Sequence, residues 1–388
     1  MLAVPEGYRE AMAARRPIHV KMEFGYGVTL TDADIDSSVG ITITESFNPD
    51  TDIRMGRTSS RQLSTKIIVN ENTKRVRWDT SFQLSFGVED ENGDPIWIYY
   101  GVFIGQRPKN ATTKTTIDYV AYDQMRLFEA NADDWLDTYT SNKSVSTILS
   151  DIGTEVGMEI LTTDAIAAVL TGGRANRWTQ NNYTFRTLVE NCAELCGCYA
   201  RIGGADMDKV EFVWFDTVSN PRVVTRDEIF EEEHADLYNG IYWDDFDLLT
   251  WNQADAKTWD EVMGYYKAIN TFDGIYAPKI DGGVSARYPT NVKTGHIYAF
   301  VDNPVLKVTS SNKSATITNI LTPLLNRLNS IGGTLPMQVT CTGDLVTQAG
   351  DFIQVVLPEE TVAMPIFYKT MRWNGSLTDT YETTSYDN

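Results

Sequence analysis

Asp32, Asp34 and Asp36 occupy alternate positions, the way the oxygen ligands of a calcium loop begin. Such a loop needs glycine at its sixth position for the sharp turn and a bidentate glutamate at its twelfth. Those positions hold Ser37 and Ile43. The run is expected to be a turn or helix entry with solvated acids. Cys192, Cys196 and Cys198 crowd into seven residues, with Cys341 far downstream. Their C-x-x-x-C-x-C spacing, with no histidine close by, is not that of a zinc knuckle. His19, His234 and His296 are far apart in sequence, and none belongs to a catalytic motif; such residues are usually solvated or paired. Trp243-Asp244-Asp245-Phe246-Asp247 supplies carboxylates and aromatic platforms, the residue types of a glycosidase, but both types are common throughout the chain. Gly25-Tyr26-Gly27 stops short of G-x-G-x-x-G because the sixth position is Leu30, and there is neither a P-loop nor a G-x-S-x-G elbow. The residues therefore point to no catalytic group, no metal-ligand set and no cofactor.

The elements that would hold such groups are mostly strands. Residues 6–16 can form a short helix with Tyr8 and Met12 on one side, closed by Pro17. Ile18, Val20, Met22 and Phe24 then alternate with His19, Lys21 and Glu23, a half-buried strand. Ile41 and Ile43, Leu63 to Val69, and Phe82, Leu84, Phe86 and Val88 continue the period of two. Asn92-Gly93 marks a hairpin into an Ile96–Ile104 strand. A small antiparallel barrel or sandwich is expected over residues 17–130.

The period changes after residue 140. Val145, Ile148, Leu149, Ile152 and Val156 line one helix face. Phe185, Leu188, Val189, Cys192, Leu195 and Cys196 line another, with Thr184 as N-cap and Gly197 as the stop. Cys192 and Cys196 thus read as core thiols on a buried stripe. A strand Cys198–Ile202, a Gly203-Gly204 turn and a strand Val210–Phe215 complete an α/β module. Strands return at Val262–Ile269, His296–Phe300, Met337–Cys341, Asp351–Val356 and Ile366–Trp373. A helical patch, Ile317 to Leu328, interrupts them, and Pro323 must start or kink it. The fold class is mainly β (α+β): two small antiparallel β-barrels with an inserted α/β module. The expected units are an arm (1–16), a first barrel (17–130), the module (131–220), and an acidic connection with a second barrel (221–388).

The chain has 388 residues, 42% of them hydrophobic, enough for two or three units with real cores. Its formal charge is −20, from 53 acidic and 33 basic residues, which argues against binding by phosphate neutralisation, and no sequence-specific nucleic-acid binding is expected. A wall that DNA must pass without sticking would be acidic. Residues 221–261 alone hold twelve acids and three bases, interleaved with Trp243, Trp251 and Trp259. Part of Glu231–Glu261 is expected to face a lumen or a basic partner, or else to be a solvated face. Clustered cysteines suggest reduced thiols made in a cytosol. Residues 1–16 lack a signal-peptide run, and no stretch of eighteen apolar residues exists to span a membrane.

Three stretches resemble tail-hub proteins of long-tailed bacteriophages and related injection machines. Residues 8–45 contain Tyr-Arg-Glu-Ala-Met, an alternating strand, then Leu30-Thr31-Asp32-Ala33-Asp34-Ile35 and Ile41-Thr42-Ile43-Thr44-Glu45. Residues 183–215 are similar to the family's inner module, with Thr184-Phe185-Arg186 opening a helix and Val210-Glu211-Phe212-Val213-Trp214-Phe215 ending it. Residues 343–382 are similar to its ending: Gly343-Asp344, Gly350-Asp351, a strand, then Gly375-Ser376-Leu377 and Tyr381-Glu382. The acidic 221–261 connection matches no motif of the family. The resemblance implies a homotrimer at the distal end of a tail, in the virion tail tip, assembled in the host cytoplasm. Two related barrels per subunit would make a pseudo-sixfold ring joining a sixfold tube to a threefold tip. Implied partners are the distal tail or tail tube protein, the tape-measure protein and a tip or spike protein. The implied role is mechanical: to hold the tip closed and form a channel for genome ejection, not to act as an enzyme. A carbohydrate-binding or glycoside-hydrolysing β-protein of a tail tip is the alternative. A secretion-system spike would need a repetitive β-helix, which the sequence lacks.

Overall fold

Period-two alternation fills the first third of the chain, and each stretch of it becomes a strand. The computed structural model describes residues 4–47, 53–108, 115–138, 144–162, 182–215, 221–234, 271–279, 283–300, 303–306, 308–331, 337–358 and 361–383. In β1 (Ile18–Phe24) the four apolar residues are buried and His19, Lys21 and Glu23 face the other side. β2 (Val28–Thr31), β3 (Ile41–Ser46), β4 (Gln62–Ile68), β5 (Ser81–Glu89), β6 (Pro95–Gly105) and β7 (Thr116–Asp123) follow. Asn92-Gly93 does turn β5 into β6, with the Asp90 carboxylate accepting the N–H groups of Asn92 and Asp94. The leading helix, Tyr8–Ala13, is shorter than expected because Arg15 adopts φ +53° before Pro17 is reached.

After β7 the chain turns helical, as the change of period implied. Helices run Val145–Val156 and Phe185–Cys196, and the Thr184 side chain accepts the Thr187 N–H as N-cap. Gly197 ends the second helix at φ +65°, and a Cβ there would lie 2.3 Å from Leu324 Cδ2, so both conformation and packing require glycine. β8 (Ile160–Leu161), β9 (Tyr199–Gly203) and β10 (Lys209–Val213) form a sheet ordered β8-β10-β9, mixed in direction.

Beyond the module come β11 (Arg222–Val224), β12 (Ile229–His234), β13 (Gly274–Ala277), β14 (Ala286–Tyr288), β15 (Ile297–Ala299), β16 (Met337–Thr342), β17 (Phe352–Val356), β18 (Thr361–Pro365), β19 (Tyr368–Trp373) and β20 (Leu377–Glu382). The expected Val262–Ile269 strand lies outside the described residues. The helical patch runs Lys313–Thr316, Ile317–Leu321 and Thr322–Asn329, and its middle piece is a π turn. Pro323 has no N–H to donate to the turn before it, so the helix widens there, and Thr322 Oγ1 donates to the Ile317 carbonyl instead.

The class is mainly β, as the alternation implied, and strands from both ends of the chain pair with each other. One sheet of eleven strands, β12-β16-β20-β19-β3-β4-β7-β6-β5-β1-β2, joins the two ends of the chain. Its seam is β3 against β19, in register from Ile41↔Trp373 to Ser46↔Tyr368. The early strands leave one edge of β3 unpaired, and β19 satisfies it. The sheet also curls: Trp373 Nε1 donates to the Ile18 carbonyl at 2.6 Å, and the Ile18 N–H donates to the Gly375 carbonyl at 3.0 Å. Among the described residues these pairings close no barrel. One hydrophobic core runs through both halves and the module.

Candidate functional site

The three stretches that carry the resemblance meet at Ala349. Glu45, at an inward position of β3, accepts the Ala349 N–H at 3.0 Å on one carboxylate oxygen, and the Tyr100 hydroxyl donates to the other at 3.2 Å. Arg201, inward on β9, donates through Nη1 to the Ala349 carbonyl at 2.5 Å. The same guanidinium reaches Glu211 at 2.8 Å and Asp351 at 3.1 Å. Burial pushes the Glu211 carboxyl up, but the adjoining Arg201 charge holds it below its ordinary value. Beside this clamp Tyr199 stacks on Trp214 at 5.5 Å and packs against Phe47 at 4.7 Å, so aromatics from the module and β3's end share one cluster.

A second polar cluster underlies the late strands. In β19 and β20 the inward phase carries Lys369 and Asp379, both buried, which ion-pair at 3.4 Å. Lys369 Nζ also donates to the carbonyls of Asp344 and Thr347 at 2.8 and 2.6 Å. The Tyr381 hydroxyl donates to Asp379 at 2.6 Å and accepts from Arg222 Nη1 at 2.6 Å. Tyr8 of the first helix donates to Asp344 at 3.0 Å. The two carboxyls diverge. Burial pushes Asp379 up despite Lys369 and Arg222, whereas the same two cations hold Asp344 below its ordinary value against its burial. Above this floor opens a cavity of about 480 Å³, lined by Tyr8, Met12, Arg222, Val223, Glu228 and Phe352 among others. The ionic groups of its floor, Arg222, Asp344, Lys369 and Asp379, are tied to one another, an arrangement that locks these segments together.

No known family profile matches the sequence. No curated protein matches it. Solved structures do. A 43 kDa tail protein of prophage MuSo2 from Shewanella oneidensis aligns with a TM-score of 0.52 at 12% identity, covering 95% of this chain and 98% of that one. A tail protein from Neisseria meningitidis MC58 aligns at 0.54 and 10% identity, covering 95% and 96%. The prophage tail protein gp18 from Listeria monocytogenes EGD-e aligns at 0.50 and 10% identity, covering 95% and 94%. This chain shares its fold with prophage tail proteins.

Within the tail-protein fold, the residues singled out from sequence find ordinary structural partners. The Asp32 turn forms, but its acids are not all solvated. Asp34 is buried, accepts the Thr31 N–H at 3.0 Å and receives Asn70 Nδ2 at 2.7 Å, because as the third residue of the Asp32–Asp34 turn it closes a capping box with Thr31. Asp32 and Glu89 bracket His19 at 2.6 and 2.9 Å; their hydrogen bonds push the imidazole up despite partial burial. His296 stacks on Phe272 at 4.0 Å. Cys192, Cys196, Cys198 and Cys341 are buried thiols in no disulfide, and burial raises Cys192, Cys196 and Cys341. Cys198 Sγ receives Arg327 Nη1 at 3.2 Å. The Trp243 to Asp247 patch, Trp251 and Trp259 lie outside the described residues. Sequence reading passed over Arg201, Lys369 and Asp379. The usable signal was a charge on the inward phase of an alternating strand, as in Leu377-x-Asp379-x-Tyr381.

Proposed function

We propose that the chain is a structural tail-hub subunit of a long-tailed phage or a related injection machine, working as a homotrimeric ring at the distal end of the tail tube. The observation that carries this reading is the fold shared with tail proteins over 95% of the chain. Residues 17–130 and 221–388 each bring one β unit, so three copies present six units to a sixfold tube and three to a threefold tip. The distal tail or tail tube protein sits above, the tape-measure protein inside and the tip or spike protein below. A net charge of −20 keeps DNA from adhering to the channel during ejection. The buried ion clusters that tie both halves to the module suit a part that bears load. The subunit has no hydrolytic step of its own.

Negative-stain imaging of the purified protein, with its mass measured in solution, tests this. A threefold ring of three chain masses is expected. A monomer or a twofold dimer overturns the hub reading, and a cleared band in a peptidoglycan zymogram of the pure protein overturns its non-enzymatic part.

A further inference from the structure

The two terminal strands of the eleven-stranded sheet differ in what they offer a neighbour. Beside β2, Asn72 Nδ2 donates to the Thr29 carbonyl at 2.8 Å and Asp34 accepts the Thr31 N–H, so side chains already occupy backbone groups that an added strand would need. What that edge presents instead is charge. Lys74, Arg75 and Arg77 are exposed, and theirs is the one window of four residues in this acidic sequence that holds three cations. Glu71 pairs with Lys74 at 2.5 Å and Asp79 follows, so the patch is bounded by acids. Its position is fixed: the Tyr26 hydroxyl accepts the Arg77 N–H at 2.5 Å, and the Arg77 guanidinium lies 5.3 Å from the Tyr26 ring.

At the other end, β12 carries a bulge between Ile229 and Glu231 in its pairing with β16. The extra residue is Phe230, 60% exposed, the most exposed large apolar side chain among the described residues. Asp227 and Glu231 are exposed around it, Glu228 and Glu232 partly so, and Arg226 is held by Glu232 at 3.6 Å. Arg15 also reaches this corner, donating to the Asp227 carbonyl at 2.7 Å, so four acids outnumber two exposed cations and two copies meeting by their β12 edges would set net negative charge against itself.

We propose that the occupant of the β12 edge is the basic β2 corner of a second copy of this chain. Phe230 would lie among Arg75, Arg77 and Tyr26 of the neighbour, with Asp227 and Glu231 opposite Lys74 and Arg75. Arginines over an aromatic ring attract it, and Tyr and Arg are among the residues that recur as interface anchors. The contact uses a different face on each copy, the head-to-tail kind that closes into rings. This rests on the trimeric-ring reading above and assigns its contact to named residues.

Solution mass against concentration, at low and high salt, tests it on the full chain. Asp227→Lys with Glu231→Lys, and separately Lys74→Glu with Arg75→Glu, are surface changes whose folding is checked by melting. Each pair is expected to raise the concentration of half-dissociation tenfold or more, and all four changes in one chain are expected to restore the trimer. High salt is expected to loosen the wild type and Phe230→Asp to dissociate it. A wild-type trimer unmoved by either pair overturns this contact and leaves the ring standing. Dissociation by each pair without restoration by all four overturns the pairing of these two faces. A monomeric wild type overturns the ring, and this contact with it.

Discussion

Arg201 and Glu45 hold the same residue from two different sheets: the guanidinium donates to the Ala349 carbonyl at 2.5 Å while the carboxylate accepts the Ala349 N–H at 3.0 Å. The module and the main sheet are therefore joined through one residue of the late loop. Arg201→Met leaves Glu211 and Asp351 facing each other without their cation, and should cost about 3–5 kcal/mol in urea unfolding. Arg201→Lys keeps the charge but loses the fork, for a loss of about 1–3 kcal/mol. If both variants unfold at the wild-type midpoint, the clamp is not holding the fold.

The Phe185–Cys196 helix is stopped by packing as much as by conformation. Gly197→Ala must accept φ +65° and displace Leu324, so a loss of about 1–3 kcal/mol is expected. Thr184→Ala at the other end should cost about 1 kcal/mol, and Thr184→Ser almost nothing. Equal losses for alanine and serine at position 184 would show that the hydroxyl is not acting as a cap.

Burial of Glu194 is expected to make stability depend on pH. Asn303 Nδ2 and the Tyr298 hydroxyl each donate to Glu194 at 2.7 Å, yet burial pushes its carboxyl from 4.5 up to about 7 against those bonds and against Arg54 and Arg57. The folded value is raised, so its contribution to stability is full below pH 4.5 and is lost as pH rises through about 7. The melting temperature should fall across that window, and Glu194→Gln, which cannot titrate, should flatten the fall. A variant with the wild-type slope would assign the pH dependence to another group.

The four cysteines are expected to be silent until the chain unfolds. Burial pushes the Cys341 thiol up to about 12 and those of Cys192 and Cys196 higher still, so little thiolate exists and reagent cannot reach it. Ellman's reagent should release no colour from native protein and four equivalents in guanidinium. Rapid release of even one equivalent from native protein would contradict the core assignment.

Much of the secondary structure was legible because its signals are local. Residues 184–197 hold a capping hydroxyl, an apolar stripe and a glycine stop within fourteen positions, and the helix observed has those bounds. The buried ions were half legible: Lys369 and Asp379 stand in phase with Met371, Trp373, Leu377 and Tyr381, although nothing nearby names their partners. The acidic turn at Asp34 was misread as solvated because its burial depends on Asn70, thirty-six residues away.

By itself, then, the sequence determined which segments are strands or helices, which of their faces turn inward, and that the surface is acidic. Only the tertiary structure decided that β3 pairs with β19, merging two halves into one sheet, and that Glu45, Arg201 and Ala349 meet. The reason is physical. Helix ends and alternation are set by neighbours a few residues apart, whereas strand edges pair through backbone groups common to every residue. Which edges join depends on how the whole core packs, and no short stretch of sequence contains that choice.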